Sequence, residues 1–171
     1  NTLDSKNTVI RTAAMDCYIL PCEYMGFDTT SIASSDTFAA LQTGVVEGLA
    51  GSTPAGAYLN YRDIIDYYYV YQMSPEVTQI MISEKTLAKL SPEDQKTIVD
   101  ICRQECANSV NYAKEEDEKY LKLMEDNGIK IVRFTDEEIE MFAEAVRTNV
   151  WPQLAKTYGE DFINELLKLY K

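Results

Sequence analysis

The feature of the sequence that most constrains the fold is the run at residues 38–48, FAALQTGVVEG. Its first part has the spacing of an amphipathic helix, and Gly44 then supplies the backbone conformation with which helices commonly end. Two valines follow as a short apolar strand before a second glycine, Gly48. A helix that ends directly before a buried strand is the repeating unit of an α/β sheet, so the run predicts the α/β class.

The rest of the chain alternates between the same two patterns. Apolar and β-branched runs predict strands, and amphipathic stretches between capping residues and glycines predict helices. The predicted strands are 7–12, 28–33, 45–49, 65–72, 77–83 and 129–134, and the predicted helices are 14–25, 37–43, 54–60, 86–90, 92–126, 136–149 and 161–170. The helix that follows Ser91 is ~50 Å long at ~1.5 Å per residue. A helix of that length overhangs a domain of this size and indicates an element shared with a second body.

The charge and composition exclude several classes of protein. The 171 residues carry a formal net charge of −12 and include no histidine. A phosphate-binding surface needs clustered lysine and arginine, so a nucleic-acid partner is not expected. Without histidine there is no Ser-His-Asp triad, and the carboxylate runs at 115–118 and 136–140 lie on helices, where consecutive side chains fan outward. We therefore expect a protein that is not an enzyme and that has no cofactor or metal.

The four cysteines leave three interpretations open. Cys17, Cys22, Cys102 and Cys106 form no CxxC pair, although the last two lie four residues apart and share a helix face. Buried, reduced thiols that act as small apolar residues are the favoured interpretation. Disulfides and a thiolate metal site are the alternatives, although the spacing matches no zinc pattern.

Candidate ligand-binding residues follow three successive predicted strands. Arg11 lies at the end of the first, Ser34 and Ser35 come after the second, and Gly51 and Ser52 come after the third. Open α/β sheets bind ligands outside the carboxyl ends of their strands, so these residues are expected to line one crevice. The planar guanidinium of arginine suits a ligand carboxylate, which it holds through two parallel hydrogen bonds. The alternatives are a structural ion pair for Arg11 and helix-capping or turn roles for the others.

A tyrosine-rich strand is a further candidate. Strand alternation places Tyr67, Tyr69 and Tyr71 on one face and Tyr68 on the other. Packing within the sheet is the favoured interpretation. The alternative is a position at the rim of a cleft, with the ring against apolar groups and the hydroxyl in water, and Tyr71 is the candidate for it.

Several motifs resemble, in order and spacing, the solute-binding proteins of tripartite ATP-independent periplasmic (TRAP) transporters. The run at 38–48 resembles their signature ALQTGVVDG, with Glu47 in place of aspartate. Residues 7–26 resemble the segment in which a strand ends in an arginine and the next helix closes with a glycine. LSPEDQ at 90–95 resembles the start of their long helix, and NGIKI at 127–131 resembles their turn into a strand. Nearly the whole chain is covered.

The resemblance implies a two-lobed binding protein of the periplasmic-binding-protein type. Its fold would be α/β, with a mixed sheet flanked by helices and one long helix that spans both lobes. Such proteins are about twice as long, so residues 1–171 are expected to be the C-terminal half, with the first lobe largely absent. The polar N-terminus, NTLDSKNT, carries no signal peptide, which predicts a mature or excised chain.

The implied function is that of an extracytoplasmic receptor. It would bind a small organic anion with a carboxylate and deliver it to a TRAP membrane permease, in the periplasm or at the cell surface, with or without a lipid anchor. The alternative is an isolated lobe that binds no ligand and self-associates through the surfaces that a first lobe would cover.

The resemblance also assigns roles to single residues. Arg11 matches the family arginine that pairs with the substrate carboxylate. Three positions depart from the family: Ser34 falls where an aromatic or bulky residue is common, Gly51 where an asparagine often contacts the ligand, and Met73 where a histidine is frequent. Small residues at two contact points imply a carboxylate that is larger or less polar than a C4-dicarboxylate.

Overall fold

The structure, a computed structural model, describes residues 3–74, 76–77 and 79–169. Its strands and helices are, in chain order, β1 (Val9–Thr12), α1 (Asp16–Tyr24), β2 (Asp28–Ser31), α2 (Thr37–Gln42), β3 (Gly48–Leu49), α3 (Pro54–Tyr61), β4 (Tyr67–Val70), α4 (Glu84–Leu87), α5 (Pro92–Asp126), β5 (Lys130–Arg133), α6 (Asp136–Asn149), α7 (Trp151–Tyr158) and α8 (Glu160–Lys168). This alternation of strands and helices confirms the α/β class.

The first sheet has three strands in the order β2-β1-β3, with β1 in the centre. Both pairings are parallel, and Arg11 lies opposite Thr30 on one side and Leu49 on the other. Ile10, Arg11 and Thr12 are all buried. Since the strands are parallel, their carboxyl ends lie at the same edge, and the segments that follow them meet there.

The second sheet consists of β4 and β5, which are also parallel. Every strand pair formed by the described residues is therefore parallel, whereas a mixed sheet was expected from the resemblance. The connections explain the difference. Helix α1 lies between β1 and β2, and α5 lies between β4 and β5. A crossover helix of this kind brings the chain back to start its next strand in the same direction.

The strand predicted at 45–49 is shortened to two residues, Gly48 and Leu49. The backbone amides of Val45 and Val46 both donate to the carbonyl of Ala40, at 2.9 and 3.3 Å, and so still cap helix α2. Sheet pairing begins only after these two amides, where the Glu47 amide donates to Val9 at 2.8 Å. The helix end therefore uses the hydrogen-bonding groups that a longer strand would need.

The strand predicted at 77–83 is wrong for the residues that the structure describes there, since 77 and 79–83 have no regular secondary structure. Thr78 lies outside the described residues. Val77 is 77 % exposed and Met81 is 82 % exposed. A strand forms only beside a hydrogen-bonded neighbour, and no strand of the described residues pairs with this segment.

Helix α5 has the predicted length, 35 residues, and begins at the predicted cap, where the Ser91 hydroxyl accepts a hydrogen bond from the Asp94 amide at 3.1 Å. Its buried residues are Leu121 and Met124, both near its C-terminal end. They pack in one core with Ala57 of α3. The preceding turns project from that core. No helix within the described part of the chain is long and apolar enough to cross a membrane.

A second core holds the C-terminal helices against α1. Val150, Leu154 and Ile163 are buried together, and Leu20 and Tyr24 of α1 pack on them. The chain breaks between α6 and α7, and Pro152 lies in the first turn of α7. Pro21, by contrast, lies inside α1 without ending it, and it is buried.

Candidate functional site

Arg11 is the centre of the candidate site. Its side chain leaves β1 near the carboxyl end of the sheet, and the residue is only 8 % exposed. The guanidinium Nε donates to the carbonyl oxygen of Ile32 at 2.8 Å, and a terminal nitrogen donates to the Ser34 hydroxyl at 3.4 Å. Both acceptors follow β2, so the neighbouring strand end fixes the direction of the guanidinium. The hydroxyl of exposed Ser34 marks where it reaches the surface.

The Arg11 guanidinium has no carboxylate within 4.0 Å among the described residues. Other arginines do have one: Arg133 lies 2.9 Å from Glu118, and Arg147 lies 2.8 Å from Glu140. Acidic residues are abundant in a chain with a net charge of −12, so a shortage of carboxylates does not explain why Arg11 has none nearby. Burial of a charge without a counter-ion is costly. The structural ion pair that was the alternative for Arg11 is therefore not formed, and the geometry leaves a place for an anion.

The two serines of the site differ in their availability. Ser34 is bound to Arg11 as described, in a short 3₁₀ turn that covers Ser34–Asp36. The Ser35 hydroxyl donates to the carboxylate of Asp36 at 3.1 Å. Ser34 therefore stands beside the arginine, whereas the hydroxyl of Ser35 is held in a local contact.

The loop after β3 brings Gly51 and Ser52 to the same edge. The Ala50 amide donates to the carbonyl of Arg11 at 2.9 Å, which ties this loop to the end of β1. Gly51 has a φ of +83°, a conformation that favours glycine. The Ser52 hydroxyl donates to the carbonyl of Thr53, at 3.4 Å. The Ser34 turn and the loop that carries Gly51 thus both lie at the end of β1, beside Arg11.

Tyr18 is a residue of this edge that sequence reasoning missed. It lies near the start of α1, and a Cβ placed on Gly51 would be 3.1 Å from the Tyr18 Cε1 atom, so the ring covers the glycine. Burial, with the nearby charge of Glu76, raises the pKa of the Tyr18 hydroxyl. The signal that would have found it is its position, because α1 starts directly after the strand that carries Arg11.

Tyr71 and Met73 form a second group on the segment that follows β4. The ring centroid of Tyr71 is 4.5 Å from that of Phe134 and 5.3 Å from that of Phe142. Tyr67, Tyr69 and Tyr71 stack along one strand face, with 6.1 Å between successive centroids. These contacts support the packing interpretation of the tyrosines. Met73 is exposed.

A groove contains Tyr71 and Met73 and extends to Tyr18, the residue that covers Gly51. It has a volume of about 640 Å³ and runs between α1, the C-terminal helices and the segment after β4. Most of its surface is apolar, and its lining includes Met15, Tyr18, Met25, Met73, Phe142 and Trp151. Arg147 also lines it and is paired there with Glu140 and Glu144, at 2.8 and 3.4 Å. Tyr18 belongs both to this groove and to the edge that carries Gly51.

The four cysteines differ in their burial, and Cys17 lines the groove. All four are free thiols. Only Cys22 is buried, and burial raises the pKa of its thiol to about 12, while Cys17 and Cys106 are exposed. The expectation of buried thiols is therefore wrong for these two. The described residues contain no group of three or more Cys, Asp or Glu that could hold a metal ion.

The chain matches one known protein family over most of its length. The model of the bacterial extracellular solute-binding proteins, family 7 (DctP), matches residues 2–157. The chain belongs to this family. Family 7 is a family of solute-binding proteins, not of enzymes, and the resemblance to TRAP solute-binding proteins is confirmed. A search of curated proteins finds no match.

Solved structures of TRAP periplasmic solute-binding proteins share the fold of this family 7 chain. An apo, open structure from Escherichia fergusonii is 20 % identical with a TM-score of 0.73, and the alignment covers 95 % of this chain and 53 % of that one. A Sulfitobacter protein with bound β-D-galacturonate is 21 % identical with a TM-score of 0.70, covering 96 % and 56 %. A Shewanella oneidensis protein with bound succinate is 18 % identical with a TM-score of 0.73, covering 95 % and 53 %. The chain thus spans about half the length of the structures that it matches.

Proposed function

We propose that this chain is the second lobe of an extracytoplasmic solute receptor that holds the carboxylate of a small organic anion on Arg11. The observation that carries the proposal is a buried arginine with no carboxylate partner among the residues that the structure describes, at the carboxyl edge of a parallel sheet, where α/β proteins bind ligands. Two family relatives of the same fold hold galacturonate and succinate, both carboxylates.

The other site residues have graded roles in this proposal. Ser34 orients the guanidinium through its hydroxyl, and Gly51, with no side chain of its own, allows the Tyr18 ring to lie against the loop beside Arg11. Ser35 and Ser52 offer a hydroxyl only if they release their local partners, Asp36 and the Thr53 carbonyl. Tyr71 and Met73 line the groove and would contact the part of the ligand that lies there.

The place and the partner of the receptor follow from its family. Family 7 proteins are extracellular, and the solved relatives are periplasmic. We propose that the protein acts in the periplasm or at the cell surface and passes its solute to a TRAP-type membrane permease. The chain covers 53 % of one solved relative, and in this proposal a first lobe would close the site from the other side. Helix α5, which projects beyond the core, would then span both lobes.

The test is calorimetric titration of the protein, at the length its gene encodes, with a panel of small carboxylates. We expect at least one to bind, and we expect Arg11→Ala to remove that binding. Arg133→Ala is the matched control, because Arg133 forms an exposed ion pair on the other sheet. Unchanged affinity in the Arg11 variant would sink the proposal. Solute uptake by cells that express the permease with the wild type or with the Arg11 variant tests delivery.

A second candidate function is self-association without a ligand. Apolar side chains stand exposed on the segment 76–83 and on α5, including Met81 and Val110. Exposed apolar surface of this kind marks interaction sites. Size-exclusion chromatography with light scattering tests it, since a monomer at micromolar concentration removes this candidate.

A further inference from the structure

We propose, building on the function proposed above, that the site selects a monocarboxylate with an apolar body, and that Tyr18, Met15 and Met73 form the wall that selects it. In this arrangement the carboxylate lies on Arg11 and the body of the ligand extends past Tyr18 into the groove. The proposal names the class of solute within the wider class of carboxylates.

Tyr18 links the edge of the sheet that carries Arg11 with the groove. The loop after β3 is bonded to Arg11 through the Ala50 amide, and the next residue, Gly51, is covered by the Tyr18 ring. Tyr18 also lines the groove, together with Ser74 of the segment that follows β4. A molecule anchored at Arg11 therefore meets the ring of Tyr18 first and the groove directly behind it.

Most of the surface that such a molecule would touch in the groove is apolar. Met15 and Met73 line the groove and are both exposed, although methionine is usually buried. Exposed methionines beside an aromatic ring make an adaptable apolar surface. The volume of about 640 Å³ is within the range of roughly 300–1,000 Å³ that is typical of small-molecule sites.

A sugar acid needs hydrogen-bond partners for its hydroxyls, and a dicarboxylate needs a second cation. At the arginine edge, the hydroxyls of Ser35 and Ser52 donate to protein acceptors and that of Ser34 accepts from Arg11, while Gln72 and Ser74 are polar residues of the groove lining. A second carboxylate would need a second cation. The cation that lines the groove is Arg147, and two glutamates already neutralise it. An apolar body makes neither demand.

The experiment measures the affinity of the protein, at the length its gene encodes, for four probes: 3-phenylpropanoate, 4-methylpentanoate, succinate and D-galacturonate. We expect the two apolar monocarboxylates to bind at least about 10-fold more tightly than the other two, since a few well-packed apolar groups give discrimination of this size. Tighter binding of succinate or D-galacturonate, or no binding of any probe, would overturn the proposal.

Two variants test the residues of the wall. Tyr18→Ser and Met73→Ser should each weaken 3-phenylpropanoate by about 10-fold while succinate changes by less than about 3-fold. Tyr112→Ser and Met141→Ser are matched controls, because both residues are exposed and lie on α5 and α6, outside the groove lining. If Tyr18→Ser weakens the binding of all probes equally, Tyr18 acts on the fold and is removed from the proposed wall. Met73→Ser then tests the wall independently, because Met73 is exposed.

The two proposals fail differently. If succinate binds, if Arg11→Ala abolishes that binding, and if 3-phenylpropanoate has no advantage, the apolar wall is wrong while the carboxylate site stands. If Arg11→Ala leaves the affinity for every probe unchanged, both proposals fall.

Discussion

The stability of the ligand-free protein provides a direct test of why Arg11 is buried. The perturbation is Arg11→Met, which keeps a side chain of similar length and removes the charge. An arginine that serves a ligand is a liability to the empty protein, whereas an arginine that serves the fold is an asset. The two possibilities predict opposite changes in the free energy of unfolding.

The magnitude follows from the contacts of Arg11. Burial of an ion without a counter-ion costs several kcal/mol after the protein relaxes. Against this stand two hydrogen bonds, one of ordinary length to the Ile32 carbonyl at 2.8 Å and a long one to Ser34 at 3.4 Å. A hydrogen bond from a charged group contributes about 1.5–3 kcal/mol, and the long one contributes less. The terms nearly cancel, so we expect Arg11→Met to change the free energy of unfolding by between zero and a gain of about 2 kcal/mol.

The assay is urea unfolding of dialysed, ligand-free protein, followed by the fluorescence of Trp151, the single tryptophan. The same variant should lose about 2–5 kcal/mol of binding energy for a carboxylate, because it removes one partner of a buried charge pair. At about 1.4 kcal/mol per tenfold, that is a loss of roughly 30-fold to several thousand-fold in affinity. A variant that unfolds about 3 kcal/mol more easily and binds carboxylates normally would refute the reasoning and make Arg11 a structural residue.

Two further predictions concern the scaffold and the thiols. Gly26→Ala should cost more stability than Gly128→Ala: both glycines have positive φ, for which we expect about 1–2 kcal/mol each, but at Gly26 the new Cβ would lie 2.0 Å from the Asp4 carbonyl oxygen, and at Gly128 it meets nothing within 4 Å. Equal losses in urea unfolding would contradict this. At about pH 8, iodoacetamide should modify exposed Cys106 in the native protein and spare Cys22, since Cys22 is buried and burial raises its pKa to about 12; peptide mass spectrometry checks this, and early labelling of Cys22 would show that the core opens.

Local signals predicted most of the elements correctly. Ser91 and Thr135 directly precede predicted helices, and each accepts a hydrogen bond from the backbone amide three residues later. Gly44 was expected to end a helix, and it does so with a φ of +72°. Signals of this kind work because a cap or a glycine acts on the hydrogen bonds and dihedral angles of its own few residues.

The errors come from interactions between distant parts of the chain. The segment 77–83 has the composition of a strand, yet the described residues include no strand that pairs with it. Composition indicates that a segment is suited to a sheet, but only a neighbouring strand supplies the hydrogen bonds. The expectation of a mixed sheet differs from the described strand pairs, which are all parallel, for the same reason: strand direction depends on which strands pair.

The sequence alone determined the α/β class, the family, the long helix and the candidacy of Arg11, because these depend on local patterns and on the order of motifs along the chain. Only the tertiary structure decided that Arg11 has no carboxylate partner within the described part of the chain, since a counter-ion can come from any distance along the sequence. Tertiary structure also decided that Tyr18 covers Gly51 and opens onto an apolar groove. The contact between Tyr18 and Gly51 joins residues 33 positions apart, and the groove brings α1 beside the C-terminal helices. Both features support the proposals about the solute.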